Sequence, residues 1–136
     1  MANYYGSARS NYFRVKDMDR FRAVMAKCGV DIVTGTGRGK KGKVALLANG
    51  DSGWDSSYVD GNGKDIDFNI IDIVALHLRD GEVAIFMSIG YENLRYLTGD
   101  AVAINSRKEC VAISLSDIYA DPRVRKLGRN MTMAEF

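Results

Sequence analysis

The chain has 136 residues, 46% of them hydrophobic and 26% charged, with a formal net charge of +2. That size and balance suit one globular domain and exclude a disordered chain, which would be poor in apolar residues. No apolar run approaches the ~20 residues that span a bilayer, and Met1-Ala2-Asn3-Tyr4-Tyr5 lacks the charged-then-apolar build of a signal peptide. Two cysteines, Cys28 and Cys110, are too few for a disulfide scaffold or a cysteine-built metal centre. A cytoplasmic protein with no membrane partner is expected.

In chain order, residues 1–10 read as a polar amino-terminal arm, and Tyr12 to Val15 as a first strand. Asp17 or Asp19 can cap a helix, because a short carboxylate accepts the free N–H groups of a first turn. Met18, Phe21, Val24, Met25 and Cys28 then recur at helical spacing, and Gly29 stops the run. Val30 to Thr34 and Lys43 to Ala48 read as a hairpin around the glycine-rich loop of residues 35–42. Asn49 to Lys64 is turn-rich and reads as one long loop, with Trp54 and Tyr58 folded back on the body. A helix is predicted over Phe68 to Leu78, capped by Asp67 or Asn69, and a fully buried strand over Val83 to Ile89. Ala101 to Ile104 and Val111 to Leu115 form a further hairpin, and a last helix runs from Asp121-Pro122 to Gly128. The tail, residues 129–136, reads as frayed or partner-dependent. The order β-α-β-β-α-β-β-β-α predicts a single α+β domain: a ferredoxin-like, split β-α-β antiparallel sheet with helices on one face, plus an added hairpin and short helix.

The small net charge conceals a strong asymmetry. Residues 1–50 hold ten basic and three acidic residues, a balance of +7, and residues 51–100 hold three and ten, a balance of −7. A basic patch is expected from Arg9, Arg38, Lys40, Lys41 and Lys43, and an acidic patch from Asp51, Asp55, Asp60, Asp65 and Asp67. Opposed patches steer partners and set their orientation. Tyr4, Tyr5 and Trp54 are the candidate aromatic contacts, since tyrosine and tryptophan bury area rigidly while keeping a polar handle.

Candidate chemistry is thin. Gly37-x-Gly39-x-x-Gly42 and Gly37-x-x-x-x-Gly42-Lys43 imitate phosphate-binding loops, but both need a helix next, whose N-terminus supplies N–H groups, and Val44-Ala45-Leu46-Leu47 reads as a strand. A calcium loop counted from Asp60 would need an oxygen ligand at its fifth position, Gly at its sixth and Glu at its twelfth, where Lys64, Asp65 and Ile71 stand. His77 is the sole histidine and sits on an apolar stretch, so it reads as packed, and Cys28 falls on a helix core face. No catalytic residue, metal or cofactor is expected.

Two stretches, Arg9 to Asp17 and Glu92 to Gly99 with Ala101 to Asn105, resemble small accessory proteins encoded on phages, plasmids and integrative elements. That group includes anti-restriction and anti-CRISPR inhibitors. The resemblance implies a non-enzymatic inhibitor that docks on a host protein or ribonucleoprotein complex, and it carries over no site residue. The alternative is a nucleic-acid-binding module using the basic glycine-rich loop, and a small enzyme comes third.

Overall fold

The computed structural model describes residues 4–93 and 96–134. It is an α+β protein built on a six-stranded sheet whose neighbouring strands are all antiparallel. The elements are β1 (Tyr4–Ser10), α1 (Met18–Met25), β2 (Val30–Thr34), β3 (Val44–Ala48), β4 (Ser57–Val59), β5 (Asp65–Asp67), α2 (Ile70–His77), β6 (Ala84–Glu92), β7 (Tyr96–Ile104), β8 (Cys110–Ser114), a 3-10 helix (Leu115–Ala120) and α3 (Pro122–Arg125). The large sheet runs β2-β3-β1-β6-β7-β8, and β4 pairs with β5 in a separate hairpin.

The first strand is not where the sequence places it. Residues 4–10, read as an arm, form β1, which lies between β3 and β6 and pairs with β6 along its whole length from Tyr4↔Glu92 to Ser10↔Phe86. Residues 12–15, read as the strand, make only two isolated bridges, Phe13↔Val44 and Val15↔Leu78. The cause is a bulge. Arg9 faces Leu47 and Phe13 faces Val44, so three residues on one side oppose two on the other. Side chains complete the broken ladder: Leu46 N–H donates to Ser10 Oγ at 2.8 Å, and Ile85 N–H donates to Asn11 Oδ1 at 2.8 Å. Ser10 is the single buried polar residue among those described.

Other boundaries shift as well. The loop of residues 49–64 contains β4, which pairs Ser57 with Asp67. Asp17 caps α1 by accepting from Arg20 N–H at 3.1 Å, and Asn69 caps α2 by accepting from Ile71 N–H at 3.0 Å. Strand β7 starts at Tyr96, well before Ala101. Leu115 opens a 3-10 helix that sequence pattern did not suggest, α3 ends at Arg125 short of Gly128, and residues 129–134 carry no helix or strand.

Both long helices cover the same side of the sheet. Phe21 and Met25 of α1 and Ile70, Val74 and Ala75 of α2 share one core with Val30, Val44, Leu46, Ala84, Phe86 and Ile104. Strand register places those sheet residues on one face. Residues alternate across a strand, so the positions between them point the other way. That corrects the reading of Val83 to Ile89 as buried on both sides: Ala84 and Phe86 are buried, while Met87 and Ile89 are more than half exposed. Among the described residues no helix is long and apolar enough to cross a membrane.

Candidate functional site

The basic loop caps the β2–β3 hairpin. Gly35 N–H donates to the Lys43 carbonyl at 2.8 Å, and any side chain at Gly35 would collide with the Lys40 carbonyl. Gly37 and Gly39 have φ of +86° and +83° with open space around them, so glycine is there for the left-handed backbone and not for a close contact. Arg38, Lys40 and Lys41 are exposed, and Lys43 is half-buried. Lys40 Nζ stands 5.1 Å over the Tyr12 ring, a cation–π contact. The ion pairs found among the described residues are Arg107–Glu109 and Arg123–Asp121, so none of the loop cations there has a carboxylate partner. Strand β3 follows the loop directly, which denies a phosphate the helix N-terminus that the look-alike motifs require.

Asp51 and Asp55 lie at the opposite end of the same hairpin, and Asp60, Asp65 and Asp67 belong to the separate β4–β5 hairpin. Asp55 lies against Gly29, just before β2 begins, and the Asp51 carbonyl accepts from Gly6 N–H at 2.7 Å, pinning that turn to β1. Asp60 is occupied by its own turn: Oδ1 accepts from Asn62 N–H and from Lys64 N–H, each at 2.9 Å. Asp65 and Asp67 flank the half-buried Ile66 on β5, and both are exposed. From Val30 to Thr34 the strand covers ~13 Å at ~3.3 Å per residue, beyond the ~8 Å screening length at physiological salt. The basic tip and the acidic end are therefore electrostatically separate.

The remaining candidates scatter. Arg9 is on β1, on the uncovered face opposite Leu47 and Met87, away from the loop. Tyr4 lies on the helix side, with its hydroxyl 3.2 Å from Thr98 Oγ1 and its ring filling the space above Gly90. Tyr5 lies on the uncovered side beside Tyr91, ring centroids 5.7 Å apart. Trp54, put forward as a partner contact, is half-buried edge-to-face on Phe86 at 5.5 Å and so serves the core.

The titratable groups near the core are packed. His77 lies 5.6 Å from the Phe21 ring, and desolvation, then the nearby Arg20 charge, holds its pKa below the usual histidine value. Burial, then Asp55, pushes the Cys28 thiol up, and Cys28 Sγ donates to the Val24 carbonyl at 3.4 Å. Cys110 is exposed on β8. Among the described residues no three His, Cys, Asp or Glu side chains gather as a metal site. A cleft of about 440 Å³ opens between α1, α2 and the β4–β5 hairpin, lined by Val24, Cys28, Tyr58, Phe68, Ile73 and Leu76.

Sequence reading missed the uncovered sheet face. Its signal is the alternation Met87, Ile89, Tyr91 continuing past the apolar run, each residue at least half exposed. Compared with protein-family models, curated proteins and solved structures, the chain matches none.

Proposed function

We propose that this protein is a non-enzymatic binding protein that docks on a macromolecular partner through charge. The observation that carries it is the exposed Arg38-Lys40-Lys41 tip, unpaired with carboxylates among the described residues and set apart from the acidic Asp51–Asp55 end. Unpaired cations on a glycine-hinged tip adapt to an acidic surface without first breaking internal ion pairs. The narrower reading is an anti-defence inhibitor of a mobile element, anti-CRISPR-like, acting on a host protein or ribonucleoprotein complex. It rests on the sequence resemblance together with this tip. The strand neighbours β2-β3-β1-β6, with α1 and α2 between them in the chain, support a ferredoxin-like split β-α-β unit, to which β7, β8 and the last helices are additions.

The test is a phage-plating assay in cells carrying a restriction or CRISPR defence. Expression of the wild type should raise plating, and the double variant Lys40→Glu, Lys41→Glu should lose that effect while keeping its circular dichroism. Wild type without effect on any such system overturns the inhibitor. The same loop favours direct nucleic-acid binding as the second reading. Three tip cations on phosphates predict a log–log salt slope of about −2 to −3 for a random oligonucleotide, lost in the double variant. No binding at low salt rules that reading out.

A further inference from the structure

We propose that the outer face of β6, β7 and β8 is an interface between two copies of this chain. Register places Ile85, Met87, Ile89 and Tyr91 of β6, Leu97, Gly99, Ala101 and Ala103 of β7, and Val111 and Ile113 of β8 on the face opposite α1 and α2. None of these residues is charged. Met87, Ile89, Leu97, Val111 and Ile113 are 56%, 63%, 59%, 71% and 64% exposed, and Tyr5 of β1 extends the patch past Tyr91. Monomers seldom leave so continuous an apolar surface open to water.

Shape points to a second copy as the occupant. Gly99 and Ala101 form the floor of a groove of about 230 Å³ along β7, walled by Met87 and Ile89 on one side and by Ile113 and Leu115 on the other. Leu115 lies over Gly99, where any side chain would meet its Cγ and Cδ1 at 2.9 Å, so the 3-10 helix supplies part of the wall. The volume falls below the ~300–1,000 Å³ usual for a small-molecule site and is of side-chain scale. A face with one groove between two ridges is self-complementary: about a two-fold axis, the Met87–Ile89 ridge of each copy enters the β7 groove of the other. This is the isologous geometry of cyclic dimers, with two sheets stacked ~10 Å apart as in a sandwich.

Area agrees. Three strands, β6, β7 and β8, at ~4.8 Å spacing and ~20 Å of length give a flat footprint of ~290 Å², to which Tyr5 of β1 adds. The protruding side chains, several of them more than half exposed, raise the accessible area above that footprint, toward the ~800 Å² per partner of a standard interface. Arg9 of β1 borders this face beside Met87, while the cations of the basic tip lie on the β2–β3 loop at the far edge of the sheet, so a nucleic acid or an acidic protein finds little charge to recognise on β6, β7 and β8. The dimer is thus independent of the charge-directed docking and would present two basic tips.

Sedimentation velocity of the full chain, over concentrations reaching the high micromolar range, tests the proposal. The expected mass is twice 15.0 kDa, falling twofold in Ile89→Lys and in Ile113→Lys. Both positions are exposed, so circular dichroism should stay that of the wild type. Val59→Lys, on β4 outside the large sheet, should remain a dimer. A wild type that stays monomeric throughout overturns the proposal without reference to any variant and leaves the face to a different apolar partner. So does a dimer that survives Ile89→Lys, which must be joined elsewhere, such as along the β8 edge.

Discussion

Ser10→Ala tests the claim that a side chain repairs the sheet where β1 bulges away from β3. In the wild type, Leu46 N–H donates to Ser10 Oγ at 2.8 Å, and both residues are buried. Removing the hydroxyl leaves that N–H without an acceptor in a place water does not reach. An orphaned buried donor costs ~1–3 kcal/mol, so ~2 kcal/mol is expected. At ~2.1 cal/mol/K per residue, unfolding 136 residues carries ~0.29 kcal/mol/K, so Tm should fall by ~7 °C. In urea the midpoint should drop with an unchanged slope, since the same surface is exposed on unfolding. Ser7→Ala, exposed on the same strand, is the control and should stay within ~0.5 kcal/mol. A Ser10→Ala variant that unfolds within ~0.5 kcal/mol of the wild type would refute the repair, because the N–H would then have found another partner.

Gly39→Ala should lower stability by ~1 kcal/mol in a urea titration, since alanine at φ +83° is strained even with open space around it, whereas Gly61→Ala, at ordinary φ with equally open space, should change little. His77 has its pKa lowered on folding, so the unfolded chain takes up the proton first. Its contribution to stability is whole above pH ~6.5 and is lost as pH falls below that value. Tm should therefore drop on acidification from neutral pH more steeply in the wild type than in His77→Gln, and parallel curves would disprove it. A thiol reagent should modify Cys110 alone in the native protein and both cysteines in denaturant, because Cys28 is buried and held protonated; two fast native thiols would contradict that burial.

Where the signal is local, the chain can be read directly. Asp17 before the Phe21–Met25 spacing marks α1, and Asn69 before Ile70 marks α2, because a cap and a 3.6-residue period lie within a few residues of each other. The glycine loop between two apolar runs likewise marks the β2–β3 hairpin, and with it the basic tip. Strand β1 cannot be read this way. Tyr4 to Ser10 contains glycine, two serines and arginine, poor strand formers, and becomes a strand because β3 and β6 offer hydrogen bonds on both sides. The strands β4 and β5 are equally silent, being three residues each and defined by their pairing with each other.

The sequence by itself determined the fold class, the two main helices and the separation of charge along the chain. All of these follow from spacing, capping and composition within short windows. Only the tertiary structure decided which apolar residues are buried. Val83 to Ile89 has the same apolar letters whether one face or two are covered. Both long helices pack on the side of Phe86, and that leaves Met87 and Ile89 facing outward and more than half exposed.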